Sequence, residues 1–289
     1  MPFKLFRPDV FNLARPNCVF ALPLAGFLLA VFATATPLLA QEATDGERPW
    51  KFSAGIGAGL SPDYEGSDDY DPLFLPVFDI TWNDTISVGT VGGPGVKIKV
   101  LKVQGPTPRD KFTLTTKFGY FGGRDQDDND ALSGLGNLDG GVTATLSADY
   151  QIRSFGTSLS INRDVSGDRE GTSINGGLSY TPSLGFERTF ITLASGVTWA
   201  DDEYMSNSFG ITSAQSASST RNLKVYAAES GIKDFDVSAR VMHRFSKNIG
   251  AFGQVKYTQL MGDATDSPLV DSEGDAGQFF TFVGVTYSW

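Results

Sequence analysis

Two short stretches and one histidine of this chain have types and spacing that suit chemistry. Asp125-Gln126-Asp127-Asp128-Asn129-Asp130 sets oxygen side chains at the first, third and fifth positions of a calcium loop. The sixth position is Asp130, where the sharp turn needs glycine, and the twelfth is Gly136, where a bidentate glutamate would close the coordination shell. The stretch reads as a solvated acidic loop. Gly92-Gly93-Pro94-Gly95 has the glycines of a phosphate cradle, but Lys97 and Lys99 follow on an alternating pattern rather than on a helix whose N-terminus would hold the anion. It reads as a turn. The only histidine, His243, alternates in step with Val241 and Phe245 and so falls on an apolar face, away from any serine or aspartate it would have to activate. No catalytic, cofactor-binding or metal-binding residue is expected.

The elements that would position these residues are strands. In Gly141 to Arg153, Val142, Ala144, Leu146, Ala148, Tyr150 and Ile152 share one face, opposite Thr143, Thr145, Ser147, Asp149 and Gln151. That is a period of two held over a full membrane crossing. Phe235, Val237, Ala239, Val241 and Phe245 oppose Asp236, Ser238, Arg240, Met242 and Arg244, and Ile249, Ala251, Val255 and Tyr257 oppose Gln254, Lys256 and Thr258. A face with two arginines suits a hydrated lumen better than a protein core. Lys117, Asp149, Arg240, Arg244 and Lys256 are the candidate lumen network, read as a satisfied polar plug or the lining of a narrow pore.

The last strand is the plainest. Counting back from the C-terminus, Trp289, Tyr287, Val285, Val283 and Phe279 lie on one side, while Ser288, Thr286 and Gly284 on the other are small or polar. About ten residues with an apolar outer face and terminal aromatics make a membrane-spanning strand. These five outward residues are also expected to act as the signal read by the outer-membrane assembly machinery. Less regular candidates are Trp50 to Leu60, Phe74 to Trp82, Thr85 to Val91, Gly95 to Val103, Lys111 to Phe121, Ser154 to Asp164, Thr172 to Thr181 and Arg188 to Trp199, which brings the count to about twelve.

The connections sort by length. Asn83-Asp84, Arg153-Ser154 and Ser246-Lys247-Asn248 are tight; Ser61 to Leu73, Gly122 to Gly140, Ala200 to Asp234 and Leu260 to Ala276 are long. A periplasmic start puts every tight turn in the periplasm and every long segment outside, the asymmetry of bacterial barrels. Within Ala200 to Asp234, Leu223 to Ala228 is either loop or part of an extra hairpin.

The other features agree with export. Lys4, Arg7 and Arg15 precede the apolar run from Val19 to Val31, which is too short to span a bilayer, so residues 1–40 read as a signal peptide and 41–289 as the barrel. Cleavage follows Ala35 or, preferably, Ala40. Cys18, the only cysteine, lies in the leader. The formal net charge of -10 argues against nucleic acid and against a polybasic membrane anchor.

Four segments resemble the MipA/OmpV outer-membrane family: Pro62-Asp63-Tyr64-Glu65-Gly66-Ser67-Asp68-Asp69-Tyr70 with Leu75-Pro76-Val77-Phe78; Thr198 to Met205 with Phe209-Gly210-Ile211-Thr212; Tyr226 to Asp234; and Leu260 to Pro268. They run in family order over nearly the whole mature chain. The resemblance implies an all-β antiparallel transmembrane barrel in contact with outer-membrane lipid and lipopolysaccharide. It also implies the namesake's scaffolding role between a peptidoglycan hydrolase and a peptidoglycan synthase. The alternative is a narrow channel or receptor for small solutes.

Overall fold

A computed structural model describes residues 49–107, 109–167, 169–183, 185 and 188–289. The leader assigned to residues 1–40 lies outside them. The described chain forms twelve antiparallel strands: β1 Trp50–Pro62, β2 Tyr70–Trp82, β3 Ile86–Gly89, β4 Gly95–Gln104, β5 Lys111–Arg124, β6 Leu138–Ile152, β7 Phe155–Asp164, β8 Thr172–Tyr180, β9 Thr189–Ala200, β10 Gly231–Arg244, β11 Ile249–Leu260 and β12 Gly277–Ser288. Each pairs with its neighbour in sequence, and β12 pairs with β1 to close the barrel. Closure removes every sheet edge where pairing is complete, which a bilayer demands because it offers backbone groups no water.

Alternation is realised as side-chain facing. Ile56, Phe74, Leu146, Leu178, Val241 and Val283 stand on the outside, with Phe74 78% and Val283 60% exposed. Such a surface aggregates in water and is satisfied in hydrocarbon. Aromatics gather at the end that holds the tight turns. Trp50 lies 6.4 Å from Trp82, Phe155 4.8 Å from Tyr180 and Tyr287 4.9 Å from Trp289, between ring centroids. Rings with a polar edge are most stable at the headgroup level. Asn83 and Asp84 both take positive φ, 48° and 54°, as a two-residue primed turn requires.

Some strands run further than their alternation predicts. β2 begins at Tyr70 rather than Phe74, β6 at Leu138 rather than Gly141 and β10 at Gly231 rather than Phe235. In β10 the cause is a bulge: Ile232 pairs with Trp199 and Asp234 with Thr198, leaving Lys233 as an extra residue. A bulge breaks the period of two, so the pattern ends before the strand does.

The long connections fold onto one another at the opposite end. The 201–230 segment carries helices α1 Asp202–Phe209 and α2 Ser213–Ser218, and the 261–276 segment carries α3 Asp263–Asp266 and α4 Pro268–Asp271. Asp201 caps α1 by accepting from the Tyr204 amide, and Thr212 with Gln215 forms a capping box on α2. Leu223 to Ala228 is not a barrel strand; Tyr226 makes only an isolated antiparallel bridge to Ile211.

Candidate functional site

Two apolar clusters hold this cap together. One joins Tyr64, Ala131, Leu132, Leu135, Ile211, Leu223 and Leu269; the other joins Ala200, Met205, Phe209, Ala228, Leu260, Ala264 and Val270. Leu132 leaves the ring between β5 and β6 and Leu269 between β11 and β12, half the ring apart. Their meeting in one cluster means that the cap spans the mouth. Polar links cross it as well: Asn129 Nδ2 donates to Asp63 at 3.0 Å and Asp69 at 3.2 Å, and Arg221 lies 3.5 Å from both Asp130 and Glu273.

Where the cap meets the barrel, charged residues from several connections join in one group. The β10 bulge turns Lys233 inward beside Asp234, where it is 6% exposed and bonds Asp234 Oδ2 at 2.6 Å and Glu65 Oε1. Tyr204 donates its hydroxyl to Glu65 Oε2 at 3.0 Å, and its ring stacks under Lys233 and Arg169 at 5.5 and 4.9 Å. Arg169 in turn bonds Asp164 at 2.8 Å. Burial on its own would raise the Glu65 carboxyl, but the Lys233 charge and the hydrogen bonds from Lys233 and Tyr204 hold it below the usual carboxylate range. Burial, with the Glu65 charge, pushes the Tyr204 phenol up to about 12. The group is therefore a charged clamp joining the β1–β2 connection, α1 and β10. Neither Glu65 nor Tyr204 is poised to exchange a proton near neutral pH.

The five lumen residues named from sequence are spread over β5, β6, β10 and β11. Alternation turns each inward, and Arg240 bonds Gln254 Oε1 at 2.8 and 3.2 Å. Lys117 donates to the carbonyl of Gly92 at 2.6 Å, and Arg244 lies 5.4 Å from the Phe190 ring. Lys256 is cross-strand to Ser238, and Asp149 to Thr113 and Ser158. No salt bridge joins any two of the five among the described residues. Phe279, Val283, Val285, Tyr287 and Trp289 are all exposed on the outer face, and the Trp289 amide donates to Phe52 O at 3.0 Å. His243 is paired with Thr189 Oγ1 at 2.9 Å and meets Phe245 edge-on at 4.7 Å.

Sequence reasoning missed the clamp and a group of inward aromatics on β11 and β12. Phe280 and Phe282 alternate inward from β12, with Phe282 lying 5.9 Å from Phe252 of β11. A Cβ on Gly57 of β1 would stand 2.3 Å from the Phe282 ring, so that glycine makes room for the phenylalanine. The run Phe279-Phe280-Thr281-Phe282 places aromatics on both faces and hides its own period. The acidic stretch Asp125 to Asp130 is used for local turns, with Asp125 accepting from the Asp127 amide at 2.9 Å and Asn129 capping a 3-10 turn at Asp130–Leu132.

The sequence model of the family described as MltA-interacting protein MipA matches residues 54–289. A search of curated proteins finds no match. Among solved structures, an outer membrane channel from Pseudomonas putida F1 aligns at 11% identity and TM-score 0.41, covering 86% of this chain and 100% of that one. Pseudomonas putida OprB aligns at 9% and 0.41, covering 83% and 93%. OmpT of Vibrio cholerae lacking loop L8 aligns at 9% and 0.37, covering 83% and 99%. At these scores nothing about this chain follows from the likeness; the closed register of its own strands fixes the fold.

Proposed function

Because the chain belongs to the family described as MltA-interacting protein MipA, we propose that this outer-membrane barrel has no enzymatic activity and acts through its surfaces, as an anchor for peptidoglycan enzymes in the periplasm. The family description supplies the class of partner. The observation that carries the mode of action is the cap: connections from opposite sides of the ring share one apolar core over the mouth, which suits a fixed body better than an open conduit. The five lumenal charged residues favour the second reading, a narrow channel for small solutes. The cap weighs against it.

The test is photo-crosslinking from the tight-turn end. A photoreactive side chain at Asn83 or Lys247 should capture a lytic transglycosylase or a peptidoglycan synthase in intact cells, and the same probe at Val225 in the cap should not. Capture of assembly factors alone would overturn the anchor reading.

A further inference from the structure

The barrel wall is incomplete on one side. β3 has only four residues, so it pairs with β2 only from Asp79 to Trp82 and with β4 only from Ile86 to Gly89. One continuous row, Asp79, Gly89, Gly95 and Gly119, crosses from β2 to β5. Above it no strand lies between Tyr70–Phe78 and Tyr120–Arg124 among the described residues. That row spans three inter-strand spacings, which sets the width at the base of the gap at about 14 Å between backbones. Phe74 stands eight positions along β2 from Trp82; at about 3.3 Å per residue and a tilt of about 40° that is roughly 20 Å, within an apolar band about 25 Å tall.

The sequence accommodates the missing neighbour. The Phe78 amide donates to Thr90 Oγ1 at 3.1 Å, and the Thr90 amide donates back to Phe78 O at 2.9 Å. Even-numbered residues of β2 therefore aim their backbone groups at the gap. Two of them, Pro72 and Pro76, have no N–H to leave unpaired, and Pro76 O accepts from Thr90 Oγ1 at 3.0 Å. The same prolines leave an added strand from another chain two donors short on this edge. Leu75 alternates inward yet remains 48% exposed, and nothing lies within 4 Å of a Cβ placed on Gly92 or Gly122 at the rim. Behind the gap Leu73, Leu75 and Val77 of β2 alternate inward, with Phe282 reaching over Gly57 and Gly59 of β1, and Asp71 and Asp79 bracket this apolar run. Lumens of such barrels are ordinarily polar. At the floor, Lys97 and Lys117 are cross-strand partners that bond the carbonyls of Val91 and Gly92 at 2.8 and 2.6 Å, and neither makes a salt bridge among the described residues.

We propose that this opening is a lateral entrance from the bilayer, through which the alkyl chain of a single-chain anionic amphiphile reaches the apolar side of the lumen while Lys97 and Lys117 hold its head group. The width suits one chain and is narrow for a lipid with several. Lysine pairs without a carboxylate favour an anion. The entrance is independent of the anchor reading: a barrel that conducts no ions can still hold an amphiphile.

The experiment uses the full mature chain refolded into vesicles whose lipids carry a nitroxide on the acyl chain. A fluorophore on Leu75→Cys should be quenched as strongly as one on outward Leu146→Cys, whereas one on Thr145→Cys, inward behind continuous wall, should not. Palmitate should bind about tenfold more weakly to K97Q/K117Q than to the parent, the loss expected for a charge-assisted contact, while neutral hexadecanol binds both alike. The heat-dependent gel shift shows that each variant is folded. Leu75 no more quenched than Thr145 would overturn the entrance, and equal palmitate binding by parent and variant would overturn the head-group site.

Discussion

Lys233 is held by two carboxylates and a phenol ring at the junction of β10 with the cap, and each partner comes from a different part of the sequence. Lys233→Met would leave Asp234 and Glu65 without their cation, at a cost of about 3 kcal/mol. Amide exchange in α1 should rise accordingly while the heat-dependent gel shift of the barrel persists. Glu65→Gln should cost less, about 1 kcal/mol, because Asp234 still pairs Lys233. The pH dependence follows from the depressed Glu65 carboxyl. Its contribution is complete above the ordinary value of 4.5 and is lost as pH falls through its lower folded value. Protection factors of the cap amides should therefore fall below about pH 4, with a smaller response in Glu65→Gln. None of this was legible beforehand. Glu65 lies in a segment recognisable only by family likeness, and a bulge is invisible to a period-two reading.

Strands were the legible part. β6, β10, β11 and β12 alternate strictly enough to be legible as strands, because one face meets lipid and the other does not. β3 was expected over Thr85 to Val91 and pairs only over Ile86–Gly89, since Gly89 and the Gly92-Gly93 turn end the ladder, both turn glycines with positive φ. Facing has a direct energetic test: Val283→Arg, outward, should cost about 2 to 4 kcal/mol, and Thr286→Arg, inward, much less, measured by urea unfolding in lipid. The terminal aromatic tests a different property. Trp289 is 61% exposed and closes the outward series on β12. Its deletion should cost the folded barrel only roughly 1 to 3 kcal/mol, yet sharply reduce insertion in cells while refolding from urea into detergent stays nearly normal. Normal insertion in cells would make Trp289 a girdle residue and nothing more.

At the scale of the whole molecule, strand number and loop asymmetry came from the sequence, but the closure of the mouth did not. Short helices such as α3 and α4, four residues each, carry no periodic signature. Their burial depends on partners from other connections: Leu269 of α4 meets Leu132 from half the ring away, and Ala264 of α3 meets Met205 and Phe209 of α1. That closure is the central claim, because it separates a body that works through its surfaces from a conduit. Ion conductance across a planar bilayer tests it most directly. The intact barrel should be silent, and a variant lacking residues 203–228, which removes Met205, Phe209, Ile211 and Leu223 from the two cores, should conduct in steady steps. Steady, reproducible steps from the intact protein would contradict the account.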